Sequence, residues 1–163
     1  MKSTGEVMGV GKTFGEAYDK SQQGSGAAIP QCGTALFSVR DSDKEIAIEL
    51  AKYLSSAGFD IVATRGTAAA FENAGVEAKA INKVAEGRPH IVDLIIDDGA
   101  DLVINTTSTT GSVRDSYTIR REALMHKVTY ATNISSARAM VEAHKAQREM
   151  QVSKLQDLHL TIK

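Results

Sequence analysis

Two threonine-rich turns carry the side chains of this sequence that are best suited to bind a ligand. Residues 64–67 (TRGT) follow the apolar run 61–63, and residues 105–111 (NTTSTTG) follow the apolar run 102–104. Hydroxyl groups, and the backbone N–H groups at the start of a helix, are donors that suit phosphate oxygens. The two turns therefore predict one polar pocket that holds an anion such as phosphate.

Basic residues near the same turns are candidates to supply positive charge. They are Lys44, Arg65, Lys83 and Arg88. A single threonine-rich turn is more typical of a helix N-cap than of a binding site, because threonine favours that position. Two such turns, together with a lysine in a third loop, favour a binding site over two unrelated caps.

The elements that would position these turns are short apolar strands alternating with helices. Strands are predicted at 35–39, up to about 63, and at 76–81, 102–104 and 128–131. Helices are predicted from a capping box at 42–45 to Gly58, over 67–74, from Pro89 to Gly99, over 116–126 and from 135 to about 158. This alternation predicts an α/β fold with a doubly wound, five-stranded parallel sheet, order 3-2-1-4-5, and helices on both faces.

Strand order decides which turns meet in such a fold. A doubly wound sheet binds ligands beyond the carboxyl ends of its strands, at the point where the strand order reverses. With the order 3-2-1-4-5, that point lies between strand one and strand four. The turns after strands one, two and four then converge, which places Lys44 beside both threonine-rich turns.

Composition limits the classes of partner. The 163 residues carry a net charge of −1, a single cysteine (Cys32) and no long apolar segment. We therefore expect no global attraction to nucleic acid or to a membrane, and any anion site must be local. One cysteine cannot form an internal disulfide and fits a reducing compartment, so a cytoplasmic location is expected.

Three other patterns do not support chemistry. Residues 9–13 (GVGKT) look like the end of a phosphate-binding P-loop, but the first required glycine falls on Glu6 and no strand precedes it. The histidines have no recognised metal-ligand spacing, and Cys32 has no apparent activating partner. We expect no metal site and no cofactor in this chain.

Residues 35–133 resemble the methylglyoxal-synthase-like fold. The matching motifs are TRGT at 64–67, NTT at 105–107, DS at 115–116 and YATN at 130–133. More narrowly, the whole sequence resembles the carboxy-terminal allosteric domain of the carbamoyl phosphate synthetase large subunit, with further matches at 2–9, 82–91 and 119–124. The resemblance implies that residues 1–31 connect to a preceding carbamoyl-phosphate domain and that residues 32–163 form the regulatory domain.

The resemblance implies a domain that binds a nucleotide monophosphate effector such as UMP or IMP. The matched effector contacts are Lys44, Thr64, Gly66, Thr67, Lys83, Asn105, Thr106, Thr107 and Asp115, with Arg65 as a further cation in the first turn. Tyr130 and Thr132 match one side of an ornithine site. The parent enzyme would be a glutamine-dependent ligase that uses ATP, Mg²⁺ and K⁺, has a glutaminase small subunit, and makes carbamoyl phosphate for pyrimidine and arginine biosynthesis.

This sequence also departs from the enteric bacterial pattern. Thr110 and Gly111 stand where that pattern has adjacent arginines, and Arg65 stands where it has histidine. Loss of two cations would weaken phosphate binding by roughly a few kcal/mol if both made charged hydrogen bonds. The identity of the effector and the sign of its effect are therefore left open.

The alternative is a catalytic one, a methylglyoxal synthase that eliminates phosphate from dihydroxyacetone phosphate. That lyase uses an aspartate as general base, which must lie within reach of the reacting carbon. The matching region here reads GRPHI at 87–91, and the next carboxylate is Asp93, about one helical turn farther on. The missing base favours a binding module with no catalytic residue.

Overall fold

Five parallel strands form one sheet at the centre of the fold. The computed structural model describes residues 5–106, 110–147, 152 and 154–161, with the backbone alone at 110–115, 155, 158 and 161. The strands are β1 (Gly33–Ser38), β2 (Phe59–Thr64), β3 (Lys79–Ile81), β4 (Leu102–Asn105) and β5 (Thr129–Ala131). Their order is β3-β2-β1-β4-β5, which confirms the predicted topology.

Helices cover both faces of the sheet, as predicted. They are α1 (Phe14–Gly24), α2 (Lys44–Ser56), α3 (Arg65–Asn73), α4 (Ile91–Ile96), α5 (Thr110–Met125), α6 (Ile134–Gln147) and α7 (Leu155–Thr161). One core cluster joins the sheet to α2, α3 and α6, and a second joins it to α4 and α5.

Successive residues of β1 face opposite core clusters. Ala35 and Phe37 belong to the cluster with α2, α3 and α6, whereas Leu36 belongs to the cluster with α4 and α5. The ring of Phe37 packs edge-on against Phe71, with 5.2 Å between the ring centres. A strand that is apolar on both faces is what a parallel sheet covered by helices requires.

The predicted capping box at residues 42–45 is wrong. Residues Asp41–Asp43 form a short 3₁₀ turn, and Asp43, at the N-cap of α2, makes no side-chain capping bond. Its carboxylate instead accepts a hydrogen bond from Arg40 Nε at 2.8 Å. A side-chain ion pair with Arg40, three residues earlier, therefore takes the place of the cap that the sequence pattern predicts.

The starts of β3 and α4 differ from the prediction because the residues before them bond to a neighbouring helix end or cap the helix that follows. β3 begins at Lys79, not at Val76, whose N–H donates to Phe71 O at the end of α3. α4 begins at Ile91 after His90, which forms a reciprocal capping box with Asp93 and places Pro89 outside the helix.

The long carboxy-terminal helix predicted from 135 to about 158 is also wrong. α6 ends at Gln147, Val152 and Lys154 are not helical, and α7 is a separate helix. α5 begins at Thr110, six residues before its predicted start at Ser116. These two helices are the elements for which apolar spacing gave the poorest bounds.

The amino-terminal helix packs against α6. A Cβ atom on Gly15 would lie 2.5 Å from Glu142 O, so glycine is what allows the two backbones to approach. Gln147 Nε2 donates to the buried carboxylate of Asp19 at 2.8 Å and to Ile29 O at 3.0 Å. The surface on which α1 packs is thus within this chain. None of the helices in the described part is long and apolar enough to span a membrane.

Candidate functional site

The turn from β2 into α3 places two buried hydroxyl groups side by side. Thr64 Oγ1 and Thr67 Oγ1 lie 3.2 Å apart, and Thr67 Oγ1 also accepts a hydrogen bond from Val39 N at 3.5 Å. Both threonines are at most 2 % exposed. One hydroxyl–hydroxyl bond uses one of the two hydroxyl hydrogens, so the other is available to an acceptor that enters the site.

The start of α3 adds backbone donors next to this hydroxyl pair. α3 begins at Arg65, two residues earlier than predicted, so Gly66 and Thr67 lie in its first turn. Thr64 is the N-cap residue but makes no side-chain capping bond, so it leaves the first N–H groups of the helix without a cap. A helix N-terminus in this state favours an anion.

Lys44 brings a positive charge to the same place. Its Nζ atom lies 3.8 Å from the position that a Cβ atom on Gly66 would occupy. The Lys44 side chain is three-quarters buried, and it forms an ion pair with Asp41 Oδ1 at 2.8 Å. Lys83 contributes as well, because the electrostatic effect of its charge reaches Asp41. Lys44 thus lies beside the α3 N-terminus, as the strand order predicts.

The turn after β4 is fixed to the loop after β1. Thr106 N donates to Ser38 O at 3.0 Å, and Thr106 Oγ1 accepts from Arg40 N at 3.1 Å. The Thr106 hydroxyl in turn donates to the carboxylate of Asp43. Because its N–H and its hydroxyl are both used within the protein, Thr106 positions the turn and has no donor left for a ligand.

Asp43 is the buried centre of this connection. It is 5 % exposed and also receives a hydrogen bond from Ser42. Burial raises the pKa of the Asp43 carboxyl, but the hydrogen bonds from Arg40 and Thr106 outweigh that effect and hold the pKa below its ordinary value. Asp43 is therefore ionised at neutral pH.

Of the remaining predicted site residues, the structure describes Asn105 in full but not Thr107 or the side chain of Asp115. Asn105 is buried and donates to Ser116 Oγ at 3.2 Å. Thr107 lies outside the described residues, as does the side chain of Asp115. The side chain of Thr110, where the family pattern differs, is not described either.

Two of the candidate cations are held by other side chains. Arg65 is exposed, and its guanidinium donates to Asn82 Oδ1 at 2.6 Å. Arg88 is 80 % exposed and pairs with Asp93 Oδ1 at 3.4 Å. Arg65 therefore connects α3 to the loop after β3, and Arg88 is directed to α4.

Tyr130 and Thr132 lie at the end of β5, at the edge of the sheet opposite β3. Tyr130 Oη accepts a hydrogen bond from Arg120 Nε at 3.1 Å, and Thr132 is exposed. They lie at the same carboxyl edge of the sheet as the threonine-rich turns, but at the end of β5.

Sequence reasoning missed the three residues of the loop after β1 that organise the site. These are Arg40, Asp41 and Asp43. The available signal was the pairing of opposite charges three residues apart, Arg40 with Asp43 and Asp41 with Lys44, directly after a buried strand. In the described residues no cluster of His, Cys, Asp and Glu could hold a metal ion.

Comparison with known proteins agrees with this architecture. The sequence profile of the MGS-like domain matches residues 46–132, which is more than half of the chain. Over all 163 residues, the chain is 52 % identical to the carbamoyl phosphate synthase large chain of Pseudomonas syringae and 51 % identical to that of Pseudomonas putida. It is 51 % identical over 99 % of its length to that of Ralstonia nicotianae. In each case the chain spans 15 % of the relative's length. The chain belongs to the MGS-like domain family.

Proposed function

We propose that this domain binds the phosphate group of a nucleotide monophosphate, UMP or IMP, at the carboxyl ends of β1, β2 and β4. The observation that carries the proposal is the hydroxyl pair of Thr64 and Thr67 at the uncapped start of α3, with Lys44 beside it. A buried hydroxyl hydrogen and free helix N–H groups need acceptor atoms, and phosphate oxygens are acceptors only.

Local charge supports an anionic ligand. Lys44 lies beside the positive end of α3, and the exposed carboxylate of Asp41 pairs with Lys44 and also interacts with the charge of Lys83. A phosphate group carries between one and two negative charges at neutral pH and would neutralise the positive charge of the lysines and the helix N-terminus. We assign the phosphate contacts to Thr64, Gly66, Thr67, Lys44 and Lys83.

The other matched residues receive different roles in this proposal. Asn105 and Thr107, and Asp115 with its undescribed side chain, are proposed to contact the nucleoside part of the effector. Thr106 contributes by positioning the turn after β4, and Arg65 contributes by connecting the start of α3 to the loop at Asn82. The proposed ornithine contacts are Tyr130 and Thr132.

We further propose that the domain is the regulatory part of a carbamoyl phosphate synthase large chain, because relatives of that name match it along its full length. The parent protein would act in the cytoplasm as an ATP-dependent ligase together with its glutaminase small subunit. Residues 1–31 would lead from the preceding domain, and residues 32–163 would form the regulatory domain.

A lyase of the methylglyoxal synthase type is the alternative, and the state of Asp93 argues against it. Asp93 is the first carboxylate after Gly87, and its Oδ2 atom accepts from His90 N at 3.0 Å. It also pairs with Arg88. A carboxylate used for helix capping and ion pairing is a weak candidate for the general base that this reaction needs.

Thermal unfolding and isothermal titration calorimetry of the 163-residue chain test the nucleotide proposal. Millimolar UMP or IMP should raise the melting temperature, since a ligand that binds only the folded state stabilises it. Lys83→Ala should abolish the rise. Lys52→Ala is the matched control, since Lys52 is exposed about 12 Å along α2 from Lys44 and should leave the rise intact. No response to either nucleotide would count against the proposal.

A further inference from the structure

We propose that Asp41 is an internal competitor for the anion site. Its carboxylate pairs with Lys44 when no ligand is bound, and it must move away from Lys44 when a phosphate group binds. The inference rests on the proposed function, because it assumes that an anion binds beside Lys44. It assigns to Asp41 the role of setting the affinity of the site.

The geometry places the Asp41 carboxylate next to the phosphate position. Asp41 Oδ1 lies 2.8 Å from Lys44 Nζ, and the same Nζ atom lies beside Gly66 in the first turn of α3. An ammonium group between a carboxylate and a helix N-terminus has its nearest anionic partner already in place. A phosphate that contacts both Lys44 and the helix would bring like charges together unless Asp41 moves away.

Lys83 belongs to the same arrangement. The pKa of the Asp41 carboxyl is held below its ordinary value, mainly by the hydrogen bond from Lys44 and its charge, and further by the charge of Lys83. Asp41 thus interacts with both lysines that the proposed function assigns to the phosphate. The carboxylate and the ligand would draw on the same two cations.

Exposure distinguishes Asp41 from its neighbour Asp43. The Asp41 side chain is 95 % exposed, whereas the Asp43 side chain is 7 % exposed and fixed by Arg40 and Thr106. An exposed ion pair is weak, and water, which already surrounds the carboxylate, solvates it after it separates from Lys44. Asp41 can therefore be displaced at little cost, while Asp43 keeps the loop in place.

Removing the Asp41 charge should tighten ligand binding. Asp41→Asn should lower the Kd of the 163-residue chain for UMP, and for inorganic phosphate, by about two- to five-fold, the modest size expected for an exposed ion pair. Asp41→Glu keeps the charge and should remain within about twofold of the unaltered chain. Isothermal titration calorimetry at low ionic strength measures all three, because salt screens such pairs.

Glu45→Gln is the matched control for a general charge effect. Glu45 is exposed in the first turn of α2 and forms no ion pair with the residues that the structure describes. An unchanged Kd for Glu45→Gln with a lower Kd for Asp41→Asn supports the proposal. Equal or weaker binding by Asp41→Asn overturns it, and so does equal tightening by both variants. If the unaltered chain and Asp41→Asn both fail to bind UMP and phosphate, the proposed function fails and this inference falls with it.

Discussion

Thr67 connects three parts of the site through a single oxygen atom. Its hydroxyl contacts Thr64 and Val39 N, and its backbone lies in the first turn of α3. A residue that is 1 % exposed and bonded in this way has a structural role, to which the proposed function adds a binding role. The two roles can be separated by substitutions that keep or remove the hydroxyl group.

Thr67→Val should weaken UMP binding by about tenfold, because it removes one hydrogen bond to a charged ligand. It should also lower the free energy of unfolding by about 1 kcal/mol, because it leaves Val39 N without its acceptor. Thr67→Ser keeps the hydroxyl and should retain most of the affinity. Calorimetry and urea unfolding measure the two quantities. Equal losses of affinity in both variants would show that the methyl group, not the hydroxyl, matters at this position.

Asp43 predicts a specific pH dependence of stability. Its pKa in the folded protein is below the value of about 3.9 for an unfolded aspartate. The ionised carboxylate therefore contributes stability that is complete above about pH 4 to 5 and is lost as the pH falls through the folded-state pKa.

Asp43→Asn should therefore lower the free energy of unfolding near neutral pH by about 1–3 kcal/mol. The difference from the unaltered chain should shrink as the pH falls below about 4, where the native carboxyl begins to take up a proton. Urea unfolding at pH 7 and at successively lower pH measures this difference. A constant difference at all pH values would mean that the charge of Asp43 is not what stabilises the loop.

At the scale of elements, the first turn of α3 is the part of the fold that ligand binding would use directly. Gly66 has open space around it, and a methyl group at this position would have Lys44 Nζ as its nearest neighbour, at 3.8 Å. Gly66 does not have a positive φ, so alanine is compatible with its backbone conformation. The helix itself gives no reason for glycine at this position.

Gly66→Ala should therefore raise the free energy of unfolding by about 0.5–1 kcal/mol, since alanine restricts the unfolded chain and favours the helix. The same substitution should weaken phosphate binding, because the methyl group lies between the helix N-terminus and Lys44. Thermal unfolding without ligand and calorimetry with UMP give the two results. A variant that is more stable and still binds UMP normally would remove the start of α3 from the phosphate site.

The sequence predicted the elements more accurately than the contacts between them. Apolar runs such as 102–104 are a local signal for a buried strand, and the strand order follows from general rules for parallel sheets. The Asp43 network could not be predicted in the same way, because residues 40–43 and Thr106 are more than 60 positions apart. The carboxy-terminal helix was predicted too long because helical spacing continues in the sequence, whereas Val152 and Lys154 are not helical.

At the scale of the whole molecule, the carboxyl edge of the sheet carries two separate groups of predicted ligand contacts. The proposed phosphate contacts lie mainly at the end of β2 and in the loops beside it, whereas Tyr130 and Thr132 lie at the end of β5. β1 and β4 lie between β2 and β5. Three strand spacings separate the two groups by about 14 Å, which is too far for one small ligand's phosphate to contact both.

This separation predicts that Tyr130 affects one ligand response and not the other. Tyr130→Phe removes only the hydroxyl that accepts from Arg120 Nε. The 163-residue chain with this substitution should bind UMP with a Kd within about twofold of the unaltered value, as expected for independent sites. Lys83→Ala, measured alongside, should abolish UMP binding.

The same two variants in an intact large chain with its small subunit distinguish the sites by their effects on carbamoyl phosphate synthesis. Tyr130→Phe should reduce the response to ornithine and preserve the response to UMP, and Lys83→Ala should do the reverse. Ligand effects on affinity are reciprocal in an allosteric protein, so a lost ornithine response should also leave UMP binding insensitive to ornithine. If Tyr130→Phe removes both responses while UMP still binds, the strand end at β5 carries the signal from the nucleotide site and is not a separate ligand site.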